Sequence, residues 1–186
     1  PPDVVRRVID VLSLHKFNVL HLHLTDDQGW RLEMPSRPEL TRIGSTTALG
    51  DRPGGSYSPA EHADLVRYAA ARFVTVVPEI DMPGHAAAAI RSYPELSSRA
   101  EGVESSMSDN ILDPAHPGIM AFVADVVRDL TAVTPGPFVH LGGDEAFGMD
   151  PDRYASFVDQ ARSLVTAAGK RLVTWQESGR SSVHAG

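Results

Sequence analysis

Four apolar runs, each preceded by a segment with helical periodicity, constrain the fold of this chain more than any other feature. The runs cover residues 17–25, 73–81, 137–145 and 171–178. The preceding helices are predicted over residues 2–15, 58–72, 117–132 and 150–168. Because each run is apolar almost throughout, both of its faces should be buried, which is typical of a parallel sheet covered by helices.

Every run ends in polar residues, with the sequences TDDQ, EIDMPGH, GGDE and WQES. In a (β/α)8 TIM barrel the catalytic groups gather at the carboxyl ends of the strands, so we predict an α/β fold of this class. Such a barrel has eight strands in typically about 250 residues. We therefore expect residues 1–186 to be part of a single catalytic barrel domain that covers about four βα units. The first strand would precede Pro1, and the last strands would follow Gly186.

The charge and composition narrow the range of partners. A formal net charge of -7 with scattered basic residues argues against nucleic-acid binding, and the absence of cysteine excludes thiolate metal sites. No apolar run approaches the roughly 20 residues of a membrane span, and no signal-peptide pattern opens the chain. We expect a soluble protein, secreted or cytoplasmic, without a membrane partner. An open half-barrel would expose sheet edges, and a homo-oligomer is one expected consequence.

The strongest candidate for a functional site is the adjacent pair Asp144 and Glu145 in HLGGDEAFGM, residues 140–149. Charges at the exit of a buried strand are costly, so they point to a site, although a capping or loop role is the structural alternative. Neighbouring residues of a regular strand face opposite ways, but Gly142 and Gly143 permit unusual backbone angles. One carboxyl could then protonate a leaving oxygen while the other handles a substituent on the next carbon, so that the substrate brings its own nucleophile.

Four co-ordered motifs at the predicted strand ends carry a resemblance to a known family. They are NVLHLHLTDDQGWR at 18–31, PEIDMPGH at 78–85, HLGGDE at 140–145 and VTWQES at 173–178. Together they resemble the β-N-acetylhexosaminidases of glycoside hydrolase family 20, which depart from the usual scheme of two catalytic carboxylates. The resemblance implies removal of terminal β-linked N-acetylglucosamine or N-acetylgalactosamine, without a cofactor, from chitooligosaccharides or glycoconjugates.

The resemblance also implies roles for individual residues. Glu145 would be the general acid/base, and Asp144 would bind and polarise the acetamido group, whose carbonyl oxygen attacks the anomeric carbon in a retaining, substrate-assisted reaction. Asp26 and His85 would lie beside the acid. Trp175 would form a wall of the acetamido pocket, for which a core aromatic is the alternative.

Asp81 and His140 are expected to support this site from their strand ends. Other parts of the family pattern, a sugar-binding Arg on the first strand and contributions from the late strands, are not found in residues 1–186. The activity of the chain by itself is therefore left open.

Two other functions remain open at this point. His21 and His23 form an HxH resembling the metal site of amidohydrolase barrels. The alternation of side chains along a strand argues against a metal site: if Asp26 faces the cleft, His21 and His23 face the opposite side. We therefore expect both histidines to pack under the helices. The second alternative is a non-catalytic carbohydrate-binding barrel. GGDEAF also resembles the GGDEF signature of diguanylate cyclases, but Ala146 interrupts the motif.

Overall fold

The computed structural model describes residues 1–50, 52–97 and 109–180 of the chain. In chain order its helices and strands are α1 (Pro2–Leu14), β1 (Val19–His23), β2 (Thr25–Asp26), β3 (Gly29–Trp30), α2 (Glu39–Arg42), α3 (Pro59–Ala70), β4 (Thr75–Glu79), α4 (Ala87–Ser92), α5 (Ile119–Val133), β5 (Phe138–His140), α6 (Pro151–Ala167) and β6 (Arg171–Val173). Single 3₁₀ helices cover Pro94–Leu96 and Gln176–Arg180.

The main sheet has four parallel strands in the order β1-β4-β5-β6, and a helix precedes each strand. Its register places His23 beside Glu79 and Glu79 beside His140. This arrangement confirms the predicted parallel sheet covered by helices. Since β1 and β6 are its edges within the described residues, self-association through a sheet edge stays a prediction.

The helices match their predicted ranges because local signals fix their ends. Ser58 and Glu61 form a capping box at the start of α3, and the side chain of Asp150 accepts hydrogen bonds from two backbone N–H groups of α6. Gly169 takes a positive φ of 74° directly after α6, as expected for a glycine that ends a helix.

The predicted strands are too long at their carboxyl ends. The run 137–145 contains only the strand Phe138–His140, and the run 171–178 contains only Arg171–Val173 before a 3₁₀ helix begins at Gln176. The chain leaves the sheet after His140 and passes through two glycines with positive φ. A hairpin, β2 and β3, follows β1 and was not predicted.

The core lies between the sheet and the helices, and it contains Phe122, Phe157 and Ile80, all of which are almost fully buried. Leu20 and Leu22 of β1 pack against this helical side. No helix in the described part of the chain is both long and apolar enough to cross a membrane.

The predicted positions of His21 and His23 under the helices are wrong. Both side chains lie on the opposite face of β1 from Leu20 and Leu22, where they contact Glu79 of β4. The prediction counted Asp26 as part of the same strand. In fact β1 ends at His23, and Thr25 begins a separate hairpin. The alternation of side chains along β1 therefore does not predict the direction of Asp26.

Candidate active site

The Asp144-Glu145 pair lies in an irregular loop that follows β5. Gly142, Gly143 and Glu145 have φ values of 63°, 100° and 48°. A Cβ atom on Gly142 would lie 1.7 Å from Oδ1 of Asp81, so no other residue fits there without displacing Asp81. The prediction that the glycines permit unusual backbone angles is confirmed. Because the pair has left the strand, the rule that neighbours face opposite ways no longer applies.

Both carboxylates of the pair approach one imidazole. Nε2 of His85 lies 3.5 Å from Oε2 of Glu145 and 3.7 Å from Oδ2 of Asp144. On its other side, Nδ1 of His85 lies 3.3 Å from Oδ1 of Asp26 and 3.8 Å from Oδ2 of Asp27. The loop after β4 therefore carries a histidine that links the hairpin after β1 to the loop after β5.

Asp27, the second acid of the TDDQ sequence, was not among the predicted site residues, and the structure gives it a specific role. Its carboxylate accepts hydrogen bonds from the backbone N–H of Ala87, at the start of α4, and from the side chain of Asn110. These bonds attach the start of α4 and the segment at Asn110 to the hairpin that carries Asp27. The adjacent acidic pair TDD was the signal that could have identified it.

Asp81 is buried directly behind the pair. Its backbone N–H donates to Oγ1 of Thr25, and its Oδ1 accepts from the backbone N–H of Gly143 at 3.1 Å. Burial raises the pKa of Asp81, and the neighbouring charge of Asp144 raises it further. Oδ1 of Asp144 is also buried, without a donor among the described residues. The proton that Asp81 retains can satisfy this oxygen.

A second charged cluster, which the sequence did not reveal, surrounds Glu79 at the end of β4. Its side chain is fully buried, and three histidine nitrogens approach it: Nε2 of His21 at 2.6 Å, Nδ1 of His23 at 2.9 Å and Nδ1 of His140 at 3.2 Å. Burial favours the neutral acid, but the bonds from His140 and His23 outweigh it and hold the pKa of Glu79 far below its usual range. In return, Glu79 raises the pKa of His23 to about 9.

Trp175 lies beside this cluster and is 38% exposed among the described residues. Its Nε1 donates a hydrogen bond to Oε1 of Glu79 at 3.0 Å. Its backbone N–H donates to the carbonyl of Gly142, which fixes the loop after β6 against the loop after β5. His140, predicted to support the site, contacts the indole edge-on with ring centroids 4.9 Å apart.

Tyr154 of α6 holds the loop that follows β5 through a hydrogen bond to the loop backbone. Its hydroxyl donates to the carbonyl of Gly143 and lies 2.9 Å from Oγ of Ser178. A cavity of about 540 Å³ opens next to Glu145, and its lining includes Tyr154 and Phe147 but neither His85 nor Asp144. Glu145 thus stands between this cavity and the imidazole, and its side chain is 56% exposed.

Several groups of carboxylates and histidines in the described residues are close enough to hold a metal ion. They are His21 with Glu79 and His140, His23 with Glu79 and Asp81, Asp26 with Asp27 and His85, and Asp81 with His85 and Asp144. Around Glu79, two nitrogen to oxygen distances are below 3 Å, as in direct ion pairs. Ligand atoms about 2.0–2.2 Å from a tetrahedral zinc ion would lie farther apart than this.

Residues 1–152 match the family model of the glycosyl hydrolase family 20 catalytic domain. A beta-N-acetylhexosaminidase from Cellulomonas fimi is 47% identical over 190 residues, which span 99% of this chain and 38% of the relative. The motifs that carry the resemblance are therefore embedded in similarity along the whole chain. They are not isolated matches.

Solved structures give the same result for the fold. The family 20 beta-N-acetylhexosaminidase from Streptomyces coelicolor superimposes with a TM-score of 0.87 at 41% identity, over 95% of this chain and 36% of its own. The exo beta-N-acetylglucosaminidase from Vibrio harveyi, solved in complex with N-acetylglucosamine, gives a TM-score of 0.89 at 33% identity, over 98% of this chain and 34% of its own. The chain spans less than two fifths of the length of these proteins, and its four βα units correspond to part of a (β/α)8 barrel.

Proposed function

Because the chain belongs to glycosyl hydrolase family 20, we propose that the protein removes terminal, non-reducing β-linked N-acetylglucosamine or N-acetylgalactosamine from glycans. We also propose that residues 1–186 are part of one catalytic domain. One observation carries the assignment: Nε2 of His85 lies 3.5 and 3.7 Å from the carboxylates of Glu145 and Asp144. Two acids that share one imidazole can act on adjacent atoms of one sugar.

In the first step Glu145 donates its proton to the glycosidic oxygen, which leaves with the aglycone. Asp144 accepts a hydrogen bond from the acetamido N–H through Oδ2, the carboxylate oxygen that faces His85. This bond turns the acetamido carbonyl oxygen towards the anomeric carbon. The carbonyl oxygen forms a bond to that carbon as the glycosidic bond breaks, which gives a cyclic oxazolinium-type intermediate.

In the second step the ionised Glu145 removes a proton from water, and the resulting hydroxide attacks the anomeric carbon. The bond to the carbonyl oxygen breaks, and the acetamido group is restored. Two inversions give net retention of configuration. Asp144 serves in both steps, because its negative charge stabilises the positive charge that spreads over the acetamido group.

The remaining residues of the site hold the two carboxylates and the acetamido group in position. Asp26 holds Nδ1 of His85, which leaves Nε2 for Glu145. Asp81 accepts a hydrogen bond from the backbone N–H of Gly143 and thereby holds the loop that carries Asp144. Trp175 presents an aromatic face to the acetamido methyl group, a contact that suits an apolar substituent. No step requires a metal ion or an organic cofactor.

The proposal is tested by offering the intact protein two aryl glycosides at equal concentration, the β-N-acetylglucosaminide and the β-glucoside. Release from the N-acetylated substrate alone is expected, because only that substrate supplies the nucleophile. Equal release would rule out substrate assistance and require a separate nucleophile. Release from neither, combined with retained binding of N-acetylglucosamine, would favour the carbohydrate-binding alternative.

A further inference from the structure

Glu79 is a buried charge that the proposed mechanism does not use. A fully buried carboxylate is costly unless its oxygens are paired, and here three histidines and one indole surround it. The proposed function places the indole of Trp175 against the acetamido group, whereas His23 approaches Oδ2 of Asp26 at 3.6 Å.

The backbone around Trp175 does not by itself fix the direction of the indole. Strand β6 ends at Val173, and the 3₁₀ helix begins only at Gln176. Trp175 is 38% exposed, so the described residues cover its indole incompletely. What restrains it is the bond of 3.0 Å from Nε1 to Oε1 of Glu79 and the adjacent rings of His140 and His21, with centroids 4.9 and 5.5 Å away.

We propose that Glu79 is a positioning residue that fixes the indole plane of Trp175 and thereby sets the width of the acetamido pocket. The inference rests on the proposed function, in which the indole face meets the acetamido methyl group. An ionised acceptor makes this hydrogen bond stronger and shorter than a neutral one would. The carboxylate, whose Oε2 lies 2.6 Å from Nε2 of His21 and 2.9 Å from Nδ1 of His23, has little room to follow the indole if the indole turns.

This role predicts selectivity for the size of the N-acyl group. A fixed indole should hold an acetyl group closely and reject one with an additional methylene. Differences of one methylene in a closed pocket change specificity by roughly 10-fold to 200-fold. If the indole is released, we expect the acetyl substrate to lose its contact and the larger substrate to be accepted.

The test compares kcat/KM for aryl N-acetyl and N-propanoyl glucosaminides in the intact protein. Glu79→Gln keeps the shape of the side chain but removes its charge. We expect kcat/KM for the N-acetyl substrate to fall about tenfold and kcat/KM for the N-propanoyl substrate to rise. Glu61→Gln is the matched control, because it makes the same chemical change in the exposed capping box of α3. We expect it to leave both values unchanged.

A double-mutant cycle separates positioning from general loss of structure. Trp175→Phe keeps an aromatic face but lacks the N–H group, so Glu79→Gln should cause no further change in acyl selectivity in that background. An undiminished effect of Glu79→Gln in the Trp175→Phe background would overturn the inference. So would an unchanged ratio of the two kcat/KM values in Glu79→Gln alone.

The indole N–H signals in a nuclear magnetic resonance spectrum of the tryptophan-labelled protein give a readout independent of turnover. We expect the Trp175 signal, assigned with Trp175→Phe, to move upfield in Glu79→Gln. The Trp30 signal, whose N–H donates to the carbonyl of Leu32, should stay in place. If the wild-type protein released nothing from the N-acetyl substrate, the proposed function would fail together with the pocket role. Turnover by the wild type with unchanged selectivity in Glu79→Gln would overturn the positioning role alone.

Discussion

Nε2 of His85 lies 3.5 Å from Oε2 of Glu145, although 60 positions separate the two residues in sequence. Both have positive φ, 51° for His85 and 48° for Glu145. A non-glycine residue rarely adopts this conformation, which costs of order 1–3 kcal/mol; in this chain Lys16 and Phe73, in the turns before β1 and β4, also adopt it. Two neighbouring loops thus hold strained residues against each other, which is consistent with a site selected for its chemistry at some cost in stability.

Substitution of the proposed acid should abolish turnover. Glu145→Gln keeps the size of the side chain but cannot donate the proton to the leaving oxygen, and loss of a general acid typically costs about 10²–10⁴-fold in rate. The loss should be greatest for natural glycans, whose alkoxide leaving groups need protonation, and smaller for aryl substrates with acidic leaving groups. Steady-state kinetics with both classes of substrate measure this difference. Comparable activity in Glu145→Gln would contradict the assignment.

Substitution of Asp144 should instead affect the acetamido group. Asp144→Asn removes the negative charge that stabilises the developing oxazolinium ion, and removal of one electrostatic contact of this kind typically lowers kcat by about 10²–10³-fold. Substrate binding should change less, since the amide can still contact the sugar. The measurement is kcat and KM for an aryl N-acetylglucosaminide. An unchanged kcat with a raised KM would make Asp144 a ground-state binding residue only.

The order of elements could be predicted from the sequence because apolar runs and helical periodicity report burial directly. The positions of Asp26, His85 and Glu145 at neighbouring strand ends follow from parallel strands, whose carboxyl ends meet at one edge of the sheet. The glycines of HLGGDE were informative because their conformational freedom is a property of the residue itself.

The Glu79 cluster could not be predicted, and the reason is physical. Periodicity shows that residues alternate between two faces, but not which face meets the helices and which the barrel interior. The face of β1 and β4 opposite the helices carries His21, His23 and Glu79, and Glu79 is fully buried there despite its charge. The register of β1 against β4 brings these residues together, and a single sequence carries little information about register.

The decline of kcat/KM at alkaline pH should follow the ionisation of Asp81. Burial and the charge of Asp144 raise the pKa of Asp81, so Asp81 keeps its proton in the range where the protein works and donates it towards Asp144. As the pH rises, ionisation of Asp81 would place a second negative charge next to Asp144 and lower kcat/KM. Asp81→Asn keeps a donor and an acceptor but cannot ionise. We expect its activity at neutral pH to be largely retained, and the alkaline decline to move to higher pH.

The pH profiles of kcat/KM for the wild type and Asp81→Asn check this prediction. Asp81→Ala is the control, because it leaves the backbone N–H of Gly143 without its acceptor and should lower activity at every pH. Superimposable profiles for the wild type and Asp81→Asn would show that Asp81 does not carry the titrating proton.

Removal of metal ions should leave activity unchanged. Although His21, Glu79 and His140 are close enough to bind an ion, the oxygens of Glu79 already contact histidine nitrogens directly. Incubation with EDTA followed by assay of an aryl N-acetylglucosaminide tests the prediction. A loss of activity that zinc restores, together with one bound zinc ion per chain by elemental analysis, would favour the amidohydrolase-like alternative.

The stability of the fold should depend on pH through His62, which is remote from the active site. His62 is fully buried in α3, and Nε2 lies 3.0 Å from Oγ1 of Thr134. Burial lowers the pKa of His62 to about 4, against 6.5 in the unfolded chain. The unfolded chain therefore binds a proton that the folded protein excludes, so stability present above pH 6.5 is lost as the pH falls towards 4. The total loss attributable to this group is about 3 kcal/mol.

Urea unfolding of the wild type and His62→Gln between pH 7.5 and pH 4.5 measures this contribution. Glutamine can still bond to Thr134 but does not titrate, so we expect a lower free energy of unfolding at pH 7.5 and a flatter decline towards acid. The exposed residue His15 supplies the matched control, and His15→Gln should reproduce the wild-type slope. Because other groups also titrate in this range, the informative quantity is the difference between variants at each pH. Equal slopes for the wild type and His62→Gln would mean that the folded protein admits the proton, through a local opening of α3 that the buried contact with Thr134 argues against.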